Sequence, residues 1–109
     1  MTTEELIFEI ILHGGNARGE AYDALNAAQN GDFQKAKEHL EAAEEEMKIA
    51  HKTQTAMIQS EINGEKVEMS LLMVHAQDHL MTAVAEKNLI ENMIALYKRI
   101  NELENKQGG

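Results

Sequence analysis

Two Asn-Gly pairs constrain the fold of this 109-residue chain most strongly, because they interrupt a sequence that contains no proline. One pair begins the turn Asn30-Gly31-Asp32, and the other begins the turn Asn63-Gly64-Glu65. Asn or Gly after a helical run is a typical helix stop, and an Asp that follows is a good N-cap for the next helix. The stretches between the pairs are rich in Glu, Lys, Ala, Leu, Met and Gln, which are strong helix formers. The sequence therefore predicts three helices joined by two turns.

The predicted helices span residues 3–29, 32–61 and 68–105. Only two Tyr and two Phe are present, and this scarcity of aromatic residues disfavours a β-sandwich or barrel. A chain of this length has the size of one domain. We therefore expect a single all-α domain over residues 1–109, folded as a three-helix up-down-up bundle.

Two local features mark the first predicted helix. Thr2 and Glu5 have the spacing of a capping box at its start. Gly14, Gly15 and Gly19 interrupt its apolar stripe. Because glycine weakens a helix interior, these residues predict either a kink or a close contact with another helix.

Composition excludes several classes of function. The formal net charge is −9 and no basic stripe is present, so nucleic acid is not an expected partner. An anionic membrane surface would repel such a chain, and no run approaches the roughly 18 apolar residues that a membrane span requires. The absence of Cys excludes disulfides and thiolate chemistry. The N-terminus carries acid where a secretory signal needs base, so we expect a cytoplasmic protein with no direct membrane insertion.

The apolar pattern of the predicted helices indicates how they pack. In the second helix a heptad seam has one polar member, Gln54: Phe33, Ala36, Leu40, Ala43, Met47, Ala50, Gln54 and Met57. The third helix has two stripes. The first consists of Leu72, Ala76, Leu80, Ala83, Ile90, Ile94 and Tyr97. The second, called here the second stripe, consists of Leu71, His75, Asp78, Thr82, Ala85, Leu89, Leu96, Ile100 and Leu103. A helix that is apolar on both sides needs cover on both sides, which predicts self-association through the third helix.

Three ionisable side chains stand together on that helix. His75, Asp78 and His79 have i, i+3 and i+4 spacing, so they share one face, which is otherwise apolar. Two histidines at i and i+4 can chelate a transition metal, whereas a neutral imidazole can also attack phosphorus to form a phosphohistidine. The spacing alone does not separate these two functions. The remaining histidines have ordinary structural explanations: His13 and His39 are expected at the surface, and His51 half-buried.

Three segments resemble one protein family. The run LLMVHAQDHLMT at residues 71–82 is similar to the active-site segment of the enzyme IIA proteins of the lactose/cellobiose-type phosphotransferase system, which includes the N,N′-diacetylchitobiose and β-glucoside branches. The run AHKTQT at residues 50–55 resembles the second-helix motif of this family, and Ala17-Arg18 with Ala21-Tyr22 resembles the first-helix motif. The resemblance extends over essentially the whole chain.

The resemblance implies a fold, a reaction and partners. It implies three-helix chains that assemble in parallel as a homotrimeric nine-helix bundle. It implies that His75 accepts a phosphoryl group on Nε2 from phospho-HPr and passes it to a cysteine of the cognate IIB protein, which works with a membrane IIC permease in sugar uptake. It also implies that Asp78 lies near the trimer axis and binds one divalent cation per trimer, Mg²⁺ or another. For His79, one turn from His75, two roles stay open: donation to the phosphoryl oxygens, or packing beside His75.

Two other functions compete with a phosphoryl carrier. One is a metal-binding helical bundle that uses His75, Asp78 and His79 as direct ligands. The other is a helical adaptor module without chemistry. The sequence does not name the sugar: cellobiose, other β-glucosides, chitobiose and lactose all remain candidates.

Overall fold

The structure is a computed structural model that describes residues 2–108, with side chains described as far as residue 106. It contains three helices, α1 (Thr3–Gln29), α2 (Phe33–Ile62) and α3 (Leu71–Gly108), and no strand among the described residues. The all-α, up-down-up prediction is confirmed. The principal extents of the chain are 64 × 21 × 17 Å, an elongated shape set by the length of α3.

Each helix begins at a capping side chain whose oxygen accepts a 3.1 Å hydrogen bond from the backbone N–H three residues on. The caps are Thr2, Asp32 and Ser70. The first two confirm the predicted caps. The predicted start of the third helix at residue 68 is wrong, because the Ser70 hydroxyl satisfies a free N–H of the first turn and so fixes the start at Leu71.

Glycine with a positive φ closes both turns. Gly31 has φ +80° and Gly64 has φ +92°, a region that glycine adopts without steric cost. After α1, the N–H of Gly31 donates to the carbonyl of Ala28 at 3.0 Å, and the N–H of Asp32 donates to that of Ala27 at 2.9 Å. These bonds satisfy the last carbonyls of α1 and reverse the chain into α2.

α1 is the central element of the fold. It runs antiparallel to α2 and parallel to α3, while α2 and α3 touch each other only slightly. The core along α1 is rich in alanine, which lets neighbouring helices approach closely. Its buried apolar members are Ile7, Ile10, Ala17, Ala21, Ala24, Ala27, Ala28, Ala36, Ala43, Met47, Ala50, Met57, Met73, Ala76, Leu80, Ala83, Ile90 and Ile94.

The predicted helix faces need two corrections. On α3, most of the predicted first stripe is buried, but at its start Met73 is buried in place of Leu72, which is 50% exposed. On α2, Thr53 is buried while Gln54 lies half-buried at the edge of the seam. The Thr53 hydroxyl lies 2.9 Å from Oε2 of Glu9 on α1, and this hydrogen bond offsets the burial of a polar group.

Within one chain, the second stripe of α3 faces away from the core. All of its members are exposed, and five of them are large apolar residues: Leu71, Leu89, Leu96, Ile100 and Leu103. An exposed apolar surface of this extent marks an interaction site. This exposure agrees with the prediction, made from the two apolar stripes, that the second stripe of α3 is covered by another chain.

Lys87 is the buried charge of α3. It is 6% exposed, and its Nζ lies 2.7 Å from Glu44 on α2 and 2.6 Å from Glu91 one turn along α3. Burial alone would lower the pKa of Lys87, but the hydrogen bonds to the two carboxylates outweigh it and the pKa is raised. The hydrogen bond from Lys87 lowers the pKa of Glu44.

We expect Lys87→Met to destabilise the chain at pH 7, because the variant loses both ion pairs. The loss should be only about 1 kcal/mol, because Glu44 and Glu91 are half-exposed and water solvates them once the ammonium is gone. The lowered pKa of Glu44 stabilises the fold above the ordinary value of 4.5, and this contribution is lost as the pH falls through the folded-state pKa. The difference from wild type should therefore shrink below about pH 4. Urea denaturation at pH 7 and pH 3.5, at one protein concentration, measures it, and a difference that stays constant contradicts the assignment.

Candidate active site around His75

The three predicted site residues lie in the first turns of α3, just after the Ser70 cap. His75 and Asp78 are exposed and His79 is half-buried. The His75 and His79 rings are stacked, with centroids 6.1 Å apart and an interplanar angle of 23°. Asp78 takes no part in a hydrogen bond or ion pair among the described residues. The structure thus brings the two imidazoles together and leaves the carboxylate facing outward.

His79 lies between His75 and the backbone of α1. A Cβ atom at Gly14 would lie 3.6 Å from Cδ2 of His79, and one at Gly15 would lie 3.3 Å from its Nε2. α1 continues through both glycines without interruption. The predicted close helix contact is confirmed at Gly14 and Gly15, whereas at Gly19 none of the described residues comes within 4 Å of a Cβ position.

Hydrogen bonds link the predicted site segment to α2. Nε2 of Gln54 donates to Oε1 of Gln77, the residue before Asp78, at 2.5 Å. Sequence reasoning missed Gln77, although it sits in the same run as His75. Its position beside three ionisable residues marks it in the sequence, but that position does not indicate which helix its side chain contacts.

An ion pair joins α1 to α3 further along. The guanidinium of Arg18 meets the carboxylate of Glu86 through Nε, at 2.5 Å, and through a terminal nitrogen, at 3.0 Å. The Arg18 guanidinium also lies 5.9 Å from the ring centroid of Tyr22. The residues of the first-helix motif therefore hold α1 and α3 in register close to the histidine pair.

Of the other three histidines, two pair with carboxylates of a neighbouring helix and the third is exposed. Nδ1 of His13 lies 2.5 Å from Glu46, and Nδ1 of His39 lies 2.6 Å from Glu20, so both pairs join α1 to α2. Both imidazoles are half-buried, which corrects the expectation that they lie at the surface. His51 is exposed rather than half-buried.

The metal-ligating groups of one chain lie elsewhere. In the described part of the chain, the carboxylates of Glu20 and Asp23 and the ring of His39 offer ligand atoms within 4.8 Å of one another. His75, Asp78 and His79 do not form such a group. A site that uses these three as direct ligands does not fit one chain. A lone exposed carboxylate at Asp78 fits a cation only if oxygen ligands come from other chains or water.

The exposed ring of His75 lies apart from the clefts described for this chain. Five surface clefts of about 290 to 520 Å³ lie on other parts of the described chain, and His75 lines none of these five. None of the three helices, over the residues that are described, contains an apolar run suited to crossing a membrane. In this helical chain the His75 imidazole is exposed on the surface of α3.

Comparison with known proteins identifies the family. The chain matches the family described as "PTS system, Lactose/Cellobiose specific IIA subunit" over residues 5–98. It is 52% identical over 99 residues to the lichenan-specific phosphotransferase enzyme IIA component of Bacillus subtilis (strain 168), with 91% of this chain and 90% of the relative covered. The chain therefore belongs to the lactose/cellobiose-specific enzyme IIA family and is a component of a sugar phosphotransferase system.

Solved structures agree in fold. The PTS cellobiose-specific enzyme IIA from Bacillus anthracis superposes with a TM-score of 0.90 at 45% identity, and 94% of each chain is covered. A chain from the IIA(chitobiose)–HPr complex of Escherichia coli superposes with a TM-score of 0.77 at 35% identity, covering 93% of this chain and 98% of that one. The similarity to both structures extends over nearly the whole chain.

Proposed function

We propose that this protein is a cytoplasmic phosphoryl carrier in which His75 accepts a phosphoryl group from phospho-HPr and delivers it to a cysteine of the cognate IIB protein, in support of sugar uptake through a IIC permease. The observation that carries the proposal is the exposed imidazole of His75 inside the HAQDH run of an enzyme IIA family member. The donor is suggested by the Escherichia coli relative, which was solved in complex with HPr.

The chemistry is a pair of phosphoryl transfers. The lone pair of neutral Nε2 of His75 attacks phosphorus, and the bond between phosphorus and the donor's leaving atom breaks with its electron pair going to the donor. In the second step a thiolate of IIB attacks phosphorus, and the phosphorus–nitrogen electron pair returns to the imidazole. Both displacements are in line, so catalysis consists mainly of positioning and charge stabilisation.

The surface location of His75 suits two successive partners. Donor and acceptor must each bring phosphorus into line with the same nitrogen, so each has to dock over the same exposed ring. Such encounters are transient and modest in area. His79 is stacked against His75, so a phosphoryl group on His75 lies within reach of it. We include His79 in the active site on this basis.

We further propose that the working form is a parallel homotrimer assembled through the second stripe of α3. Its support is the exposed apolar row on the side of α3 opposite the core. Three such rows around one axis cover one another and form a nine-helix bundle. His75 then lies at the edge of the interface, where a partner reaches it.

Asp78 has a specific place in this trimer. It belongs to the second stripe and is the only formal charge between Leu71 and Ala85, so three copies converge near the axis. Like charges at short range do not all stay ionised without compensation. Carboxylate oxygens favour a hard divalent cation, and we propose one Mg²⁺ or similar ion per trimer, with water completing the ligand shell.

The axial cation makes a prediction about Asp78→Leu. We expect the variant trimer to persist in chelator, because leucine removes both the repulsion and the need for an ion. The wild-type trimer should loosen in chelator near neutral pH. Sedimentation velocity with and without EDTA measures both.

A matched control uses Asp23→Leu, which removes an exposed carboxylate of α1 from the Glu20, Asp23 and His39 group. This control should keep the wild-type response to chelator. Dissociation of the Asp78→Leu oligomer, or a wild type that binds no cation and ignores chelator, overturns the axial site.

The function is tested by rebuilding the relay. The protein is incubated with phosphoenolpyruvate, enzyme I and HPr, and acid-labile phosphate is located by mass spectrometry. A carrier gains one phosphoryl group per chain, assigned to His75. An adaptor module gains none, and that result rejects the proposed function.

A further inference from the structure

The glycine pair of α1 is unusual for a helix interior. Glycine at Gly14 and Gly15 weakens the helix relative to alanine, yet both residues occur within a regular helical segment. Among the described residues, positive φ angles occur at Gly31 and Gly64 and at neither of these two. Backbone conformation therefore does not require glycine at either position, and space limits a side chain at Gly15 more than at Gly14.

His79 occupies most of that space. A Cβ at Gly15 would meet Nε2 of His79 at 3.3 Å, closer than ordinary van der Waals contact. A Cβ at Gly14 would meet Cδ2 of the same ring at 3.6 Å and Leu80 at 3.7 Å. Gly19, one turn further along α1, has nothing within 4 Å of the same position. Gly15 thus lies against the imidazole, Gly14 lies at ordinary contact distance from both the imidazole and Leu80, and Gly19 contacts neither.

The contact fixes how the ring is presented. The Nε2–Cδ2 edge of His79 rests on the α1 backbone, while the plane of the ring is stacked 6.1 Å from His75. His79 is half-buried in this arrangement and His75 is exposed. The contact with α1 limits the orientation of the ring along one edge, and Nδ1 is the nitrogen that does not lie against Gly15.

We propose that Gly14 and Gly15 form a seat for the imidazole of His79, and that Gly15 is a positioning residue for phosphoryl transfer at His75. The inference rests on the proposed function of His75. Because the seat orients His79 before a partner docks, the ring beside the acceptor nitrogen is already in place when phosphorus arrives. Even a small displacement of a positioned group slows such a step.

The test is Gly15→Ala, with Gly19→Ala as the matched control. Both substitutions improve the helix propensity of α1, so neither should unfold the protein. In Gly15→Ala the new methyl must push His79 by a few tenths of an ångström. We expect kcat for transfer from phospho-HPr to fall roughly three- to tenfold with KM for HPr unchanged. Gly19→Ala should transfer at the wild-type rate.

A double-mutant cycle shows whether Gly15 acts through His79. In a His79→Ala background, adding Gly15→Ala should cause no further loss, since the ring that it displaces is absent. The side-chain nitrogen resonances of His79 in the unphosphorylated protein should move in Gly15→Ala and not in Gly19→Ala. A glycine without a role in transfer would leave the transfer rate of Gly15→Ala at the wild-type value, even where the His79 resonances move.

The outcomes separate the two proposals. A wild type that is not phosphorylated on His75 rejects the proposed function and the positioning role with it. A phosphorylated wild type with additive losses in the cycle, unmoved His79 resonances, or a normal rate in Gly15→Ala overturns the positioning role alone.

Discussion

His75→Ala should reduce phosphoryl labelling by phosphoenolpyruvate, enzyme I and HPr to background, while helix content and oligomeric state stay those of the wild type. The loss is complete because the imidazole nitrogen is the nucleophile, and alanine offers no atom to attack phosphorus. The fold is spared because His75 is exposed and no described side chain forms a hydrogen bond to it. Acid-labile phosphate and circular dichroism measure the two halves of this prediction.

The matched control is His51→Ala, which removes an exposed histidine from α2. It should keep full labelling, which shows that losing an exposed imidazole does not by itself stop the relay. Label that persists in His75→Ala, or that maps to His51 or His79 in the wild type, would show that the acceptor is wrongly assigned.

The helices of this fold were predictable because the residues that begin and end them are close together in the sequence. The turn residues Asn30-Gly31-Asp32 carry both the stop of α1 and the cap of α2 in adjacent positions, and α1 has the predicted bounds. The start of α3 was missed because the charged residues before it have good helix propensity. Propensity there is outweighed by one hydrogen bond from the Met73 N–H to the Ser70 hydroxyl.

The site was only partly predictable, since part of it depends on how helices cross. The i, i+3 and i+4 spacing is enough by itself to place His75, Asp78 and His79 on one side of α3. The contact of the His79 ring edge with Gly15 and the hydrogen bond from Gln54 to Gln77 join residues far apart in sequence. The spacing of residues within one helix does not indicate where that helix crosses its neighbour, so these contacts could not be predicted.

The burial of Lys87 could not be predicted from the sequence pattern. A lysine within an apolar stretch is ordinarily placed at the surface. Here its stem lies among core residues, and its ammonium reaches Glu44 and Glu91 at the edge of the core. The pair with Glu91 has i, i+4 spacing within α3, whereas the pair with Glu44 forms only because α2 lies beside α3.

Leu96→Lys should convert the proposed trimer to monomers at micromolar concentration. Leu96 is 60% exposed in the single chain and lies in the second stripe. In a parallel trimer three lysines would meet near the axis, buried and without acidic partners. An unpaired buried charge costs several kcal/mol, which weakens association by about a thousandfold or more. Sedimentation equilibrium should report three times the 12.2 kDa chain mass for the wild type and the chain mass for the variant.

Ile58→Lys is the matched control, because Ile58 is 50% exposed on α2 and lies outside the second stripe. It adds the same charge at an exposed apolar position and should leave the trimer intact. A wild type that sediments as a monomer refutes the assembly itself. A Leu96→Lys trimer as stable as the wild type places the interface elsewhere. The convergence of three Asp78 carboxylates then loses its basis, because Leu96 and Asp78 belong to the same stripe of α3.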